Sequence, residues 1–127
     1  MEYNLFDINN FNIIQDEENY YFFRALNMAD NNDIEQGITL SKSGKIKRIK
    51  TDRERFEGET KYSEDSELSL EEIYDHIKMH YRKDTNCISL TSNSNVAINY
   101  GRGSYKDRYV MIKVPKKEFG EKTVSAG

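Results

Sequence analysis

The chain has 127 residues, a net charge of −3, and 36% apolar, 12% aromatic and 32% charged residues. That length allows one domain with a modest core, and nine Tyr with six Phe argue against wholesale disorder. The slight acidity disfavours general nucleic-acid binding, the single cysteine excludes an intrachain disulfide, and no membrane-spanning run is expected. Glu2, Asn4 and Asp7 interrupt any apolar leader, so the expectation is a cytoplasmic protein, or one exported without a recognisable signal peptide.

Residues 1–18 mix Asn and acids with Tyr3, Leu5, Phe6, Ile8, Phe11, Ile13 and Ile14, and read as an arm or short helix packed on the domain. Residues 19–26, Asn-Tyr-Tyr-Phe-Phe-Arg-Ala-Leu, predict a strand whose aromatic run implies burial on both faces. Arg24 interrupts that run. It faces either water at the strand end or an anion or carboxylate, because a buried unpaired guanidinium is very costly. Residues 27–36 predict a short helix with Asp30, Asn31 and Asn32 as caps, Gly37 as the stop, and Met28, Ala29 and Ile34 facing inward.

The basic run Lys45-Ile-Lys-Arg-Ile-Lys50 has an alternating period that suits a surface strand with charges on one face, ahead of a phosphate-binding patch. Residues 51–67 carry charges of both signs and read as an exposed loop, since their acids lack metal-ligand spacing. Residues 68–81 give the best helix. Ser69 with Glu72 forms a capping box, and Leu70, Ile73, Tyr74, Ile77 and Tyr81 form an apolar stripe. His76 and His80, four apart, can bind zinc, but without an obvious third ligand two half-buried histidines rank ahead of a metal site.

Residues 87–101, Cys-Ile-Ser-Leu-Thr-Ser-Asn-Ser-Asn-Val-Ala-Ile-Asn-Tyr-Gly, are the stretch around which the chain is organised. Residues 87–90 read as a short buried strand, with Cys87 a small core residue rather than a nucleophile. Residues 91–95 form a polar turn. Val96, Ala97 and Tyr100 then suit one face of a short helix stopped by Gly101. A strand that turns at once into a helix gathers hydroxyls and free backbone N–H groups, which can hold a polar ligand; helix capping alone explains the same pattern. Residues 102–108 form a loop, and residues 109–114 are a strand ended by Pro115. The polar stretch 116–127 stops at Ser-Ala-Gly, which fits a frayed C-terminus or the N-terminal part of a longer chain. These elements predict one α+β domain over residues 1–127, with a mostly antiparallel β core and a few short helices. No glycine pattern of the Rossmann or P-loop kind follows a strand.

Two blocks carry a family resemblance. Phe23-Arg24-Ala25, followed by an acid-rich segment, Ile34 and Gly37, resembles the opening strand and helix of ADP-ribosyltransferases of the cholera enterotoxin kind. Ile88-Ser89-Leu90-Thr91-Ser92, then Val96-Ala97 and a helix ending at Gly101, resembles that family's Ser-Thr-Ser strand and the helix behind it. Leu90 stands where the family has its central threonine, and Thr91 at the last serine; an alignment shifted by one places Thr91-Ser92 on the motif's last two residues. The resemblance implies a split antiparallel sheet and NAD as substrate, with ADP-ribose passed to a protein or nucleic-acid acceptor and no metal. It implies that Arg24 holds the NAD phosphates and ribose, that Ser89 braces the active-site strand, and that Ala25, Leu90 and Thr91 line the cofactor site.

The family's catalytic glutamate lies on a later strand. Only Glu118 and Glu121 follow Ser92, in a Lys-rich stretch that comes too early. A truncated or inactive transferase fits, as does a non-catalytic binding or inhibitory module of the same fold from a phage or bacterial conflict system. A 2′-phosphotransferase-like use of His76, His80 and Arg102, and an unrelated α+β domain, are the remaining readings.

Overall fold

The computed structural model describes residues 1–7, 16–37, 45–64, 67–78, 84–101 and 108–120. Contacts divide the chain into two compact units, Met1–Arg48 with Leu90–Gly127, and Ile49–Ser89. Together the described residues form an α+β protein with a three-stranded antiparallel sheet and four α-helices.

The first unit is built on the sheet. Its strands are β1 (Glu2–Asp7), β2 (Asn19–Ala25) and β3 (Arg108–Pro115), in the order β1-β3-β2. β3 takes the centre because its run Tyr-Val-Met-Ile-Lys-Val is apolar enough to be covered on both sides; Tyr109, Val110, Ile112 and Val114 are fully buried. Leu5 and Arg24 flank Val110 across the ladders, and Phe6 and Ala25 flank Tyr109. The Tyr109 face is aromatic, with Phe6 stacked on Tyr109 at 5.7 Å and edge-on to Phe23 at 6.3 Å. On the other face Phe119 meets Tyr20 at 4.8 Å and Phe22 at 6.0 Å, following a 3-10 helix over Lys116–Glu118 that Pro115 introduces.

Helix α1 (Met28–Glu35) starts at a reciprocal cap in which Asn27 Oδ1 accepts from the Asp30 N–H and Asp30 Oδ2 accepts from the Asn27 N–H. It stops at Gly37, whose φ of +73° is left-handed; space for a Cβ is open there, so the backbone conformation is what calls for glycine. Helix α4 (Ser94–Gly101) packs against β2 and β3 through Ala97, and the Tyr109 hydroxyl reaches the Ile98 carbonyl at 3.5 Å.

Helices α2 (Asp52–Arg55) and α3 (Leu70–Lys78) belong to the second unit. The inner face of α3 is polar. Glu72 and Asp75 are buried, whereas Leu70, Tyr74 and Ile77 are 86%, 55% and 45% exposed. Asn86 donates its backbone N–H and its side-chain amide to Glu72 Oε1, at 2.6 and 2.9 Å. Tyr62 donates to Asp75, which also accepts from Lys61 Nζ at 3.1 Å, and the Lys61 N–H donates to Asp84 at 2.7 Å.

Several sequence expectations are corrected. Residues 2–7 form a strand rather than an arm or helix, because Tyr3 and Leu5 find a ladder on β3. The β2 aromatic run is not buried on both faces: Phe23 alone is fully buried and Tyr20 is exposed, since β2 lies at a sheet edge. Met28 and Ala29 of α1 face solvent, leaving Ile34 with Asp30 and Asn31 inside. The basic run contributes one bridge, Ile46 to Tyr3, and buries Ile46 and Ile49, which are three apart and do not alternate. The segment expected as a loop holds α2 and the buried Tyr62. Ser69 caps α3 by accepting the Glu72 N–H at 3.1 Å, but the Glu72 carboxylate is engaged by Asn86. The apolar stripe of α3 points outward through Leu70, Tyr74 and Ile77, with Ile73 half-buried, and Tyr81 lies outside the described residues. Residues 87–90 form no strand; among the described residues the bridge to β2 falls at Thr91. In α4, Val96 and Tyr100 are exposed and Ala97 alone of the three is buried.

Candidate functional site

Arg24 lies on the sheet face shared with Val110, and its guanidinium is held. Nε and Nη2 both reach Asp30 Oδ2 at 3.1 Å, with the Arg24 side chain 13% and the Asp30 side chain 2% exposed. Of the two environments the sequence allows, the carboxylate partner is the one observed. Asp30 therefore closes the α1 cap and fixes the arginine with one carboxylate. Ala25 follows, half-buried, opposite Tyr109.

The second block meets the first through the backbone. Phe23 N–H donates to Thr91 O at 2.7 Å, and Thr91 N–H returns the bond to Phe23 O at 3.0 Å. Distant in the chain, Arg24 and Thr91 thus sit one residue apart across a two-bond antiparallel bridge on the free edge of β2. Thr91 Oγ1 accepts from the Asn93 N–H at 3.2 Å, and Asn93 Oδ1 accepts from the Asn95 N–H at 2.9 Å, so the hydroxyl and amide side chains of this turn set the start of α4. Leu90 is half-buried beside them.

Ser89 ends the second unit, with its side chain exposed. Its Oγ is 2.9 Å from His76 Nε2. The other ring nitrogen, Nδ1, is 2.7 Å from Oγ1 of the fully buried Thr85 and 4.0 Å from the Asp52 carboxylate. Thr85 is tied to α2 by its carbonyl, which accepts the Arg53 N–H at 2.8 Å. The inward polar face of α3 is what brings His76 to this cluster. Cys87 is half-buried nearby, and burial, then the Glu72 and Asp52 carboxylates, pushes its thiol up to about 11, which suits a packing role.

Glu118 is described at the end of the 3-10 helix, with its carboxylate 3.8 Å from the Met1 amino group. Glu121, His80 and Arg102 lie outside the described residues. Among the described residues no group of three or more His, Cys, Asp or Glu is placed to hold a metal ion, and no helix is long and apolar enough to cross a membrane. Comparison of the chain with family models, curated proteins and solved structures finds no match.

Two groups escaped sequence reasoning. Asp30 was visible as one of three candidate caps, with Asn31 and Asn32, but nothing in the spacing tied it to Arg24. His76 was visible as one of a histidine pair, but no local pattern linked it to Ser89, Thr85 or Asp52.

Proposed function

We propose that the chain is an ADP-ribosyltransferase-like protein that binds NAD and passes ADP-ribose to a protein or nucleic-acid acceptor. The observation that supports this reading is the Phe23–Thr91 bridge, which sets side by side the two blocks that resemble the family's arginine strand and Ser-Thr-Ser strand. On this reading Arg24 meets the pyrophosphate with charge-assisted hydrogen bonds, and Asp30 holds the guanidinium in orientation. Ala25, Leu90 and Thr91 line the site. The bond from nicotinamide to ribose breaks through an oxocarbenium-like state, so positioning and electrostatic stabilisation carry the rate. The split sheet of that family is the finer fold this reading implies.

The position of Glu118 on a 3-10 helix rather than on a strand favours a second reading in which the same fold serves as a non-catalytic binding or inhibitory module. Calorimetric titration with NAD, followed by incubation with labelled NAD and candidate acceptors, separates the two. The transferase reading expects saturable binding that Arg24→Lys weakens by about tenfold or more, through loss of the bidentate fork, together with labelled acceptor. Binding without labelling supports the module. No heat and no label, with the protein shown folded by circular dichroism, removes the NAD reading.

A further inference from the structure

Within the second unit, Ser89, Thr85 and Asp52 gather around the His76 ring. We propose that Ser89 is a nucleophile for acyl transfer from small activated esters, with His76 as its general base and Asp52 as the residue that positions the imidazole. His76 is 11% exposed and has a hydroxyl at each ring nitrogen, Thr85 at 2.7 Å and Ser89 at 2.9 Å. A hydroxyl can donate or accept, so these two contacts alone leave the tautomer open. We place the proton on Nδ1, the nitrogen that lies 4.0 Å from the Asp52 carboxylate. Nδ1–H then donates to Thr85 Oγ1, and Nε2 turns its lone pair to the Ser89 hydroxyl. That is the arrangement a serine nucleophile requires: base within hydrogen-bond reach, and the base itself oriented by a third group.

The two hydroxyls differ in the way this role demands. Thr85 is fully buried and serves to hold the ring. Ser89 is exposed, so an ester can reach it from solvent. In the step, Ser89 Oγ forms a bond to the acyl carbon while its proton passes to Nε2. The bond from acyl carbon to leaving-group oxygen breaks with its electron pair on that oxygen, and the imidazolium gives its proton to the departing alkoxide or phenoxide. The product is acyl-Ser89 and the free alcohol. Cys87, with its thiol held protonated, does not compete at neutral pH.

The test is carried out without NAD, so it stands or falls apart from the transferase reading. The full chain is mixed with p-nitrophenyl acetate at pH 7.5, p-nitrophenol release is followed, and the acetylated residue is located by peptide mass spectrometry. A burst of up to one equivalent with acetyl on Ser89 is expected. Ser89→Ala abolishes the burst, and His76→Gln, which keeps a hydrogen-bonding side chain, slows it by roughly 10²–10⁴-fold. Asp52→Asn also slows it, and Asp52→Glu restores most of the rate. Acetyl found on lysine, tyrosine or the N-terminus in place of Ser89, or Ser89 acetylated equally fast in folded His76→Gln, overturns the proposal. If His76→Gln does not fold, the label position in the native chain and the Asp52 pair decide it.

Discussion

Asp30 shows how one carboxylate carries both local and tertiary structure. It is buried, closes the α1 cap, and meets Arg24 with two bonds from one guanidinium. Removing one partner of a buried pair leaves an uncompensated charge, whereas removing both does far less harm. Arg24→Ala should therefore lower stability by about 3 kcal/mol, at the lower end for such pairs because the Asn27 N–H still contacts Asp30. Arg24→Ala with Asp30→Asn should recover much of that loss, since a neutral amide can still cap the helix. Urea midpoints of the single and double variants measure both; a double variant as unstable as the single would deny the coupling. The sequence leaves Arg24 two environments, water at the strand end or an acidic partner, because an arginine among Tyr and Phe cannot be buried alone. It does not choose between them or name Asp30, since the pairing depends on how α1 folds back over β2. A second residue-scale expectation concerns Cys87. A thiol at about 11 rather than 9.0 carries about a hundredth of the thiolate at pH 8, so iodoacetamide should modify it on the order of 100-fold more slowly than a cysteine peptide.

At the scale of the element, α3 is the clearest divergence between pattern and structure. Helical spacing says which residues share a face, and Leu70, Tyr74 and Ile77 do share one. It does not say which face turns inward. Here the inner face is set by Glu72, Asp75 and His76, whose partners Asn86, Tyr62, Lys61, Thr85 and Ser89 lie on other segments and leave no periodic trace. Leu70→Ser and Tyr74→Ser should each change stability by no more than about 0.5 kcal/mol, as exposed positions do. Glu72→Leu should cost about 1–3 kcal/mol by taking the acceptor from the Asn86 backbone N–H and one of the two acceptors from its side-chain amide. Chemical denaturation ranks the three, and the opposite ranking would mean that the stripe is the packed side. Two of the three laddered strands were legible: β2 and β3 fall within a residue of their expected bounds, whereas β1 reads in sequence as an arm or short helix. Residues 87–90 look equally strand-like but join no ladder among the described residues, because a strand is defined by its neighbour as much as by its own side chains. The short helix α4 was legible from its capping residues, while its inward face narrowed to Ala97.

At the scale of the whole molecule, the two units carry opposite responses to pH. In the first, the Tyr21 hydroxyl and then the Asn19 amide hold the Asp16 carboxyl at about 2, below its ordinary 3.8. A depressed carboxyl stabilises the folded state above its unfolded value and loses that contribution as pH falls toward the folded one. In the second, Glu71 and then Asp75 hold the Lys61 ammonium above its ordinary 10.5. A raised ammonium contributes in full below 10.5 and loses its contribution as pH rises further. Both groups are well exposed to solvent, so each effect is small, and the ionic part at Lys61 weakens with salt. Asp16→Asn should flatten the fall in melting temperature between about pH 4 and 2 and leave the alkaline side unchanged. Lys61→Met should do the reverse above about pH 10.5. Thermal melts of the three proteins across both ranges test this. If Asp16→Asn alters the alkaline arm, or Lys61→Met the acid one, the two networks are coupled rather than confined to their own units.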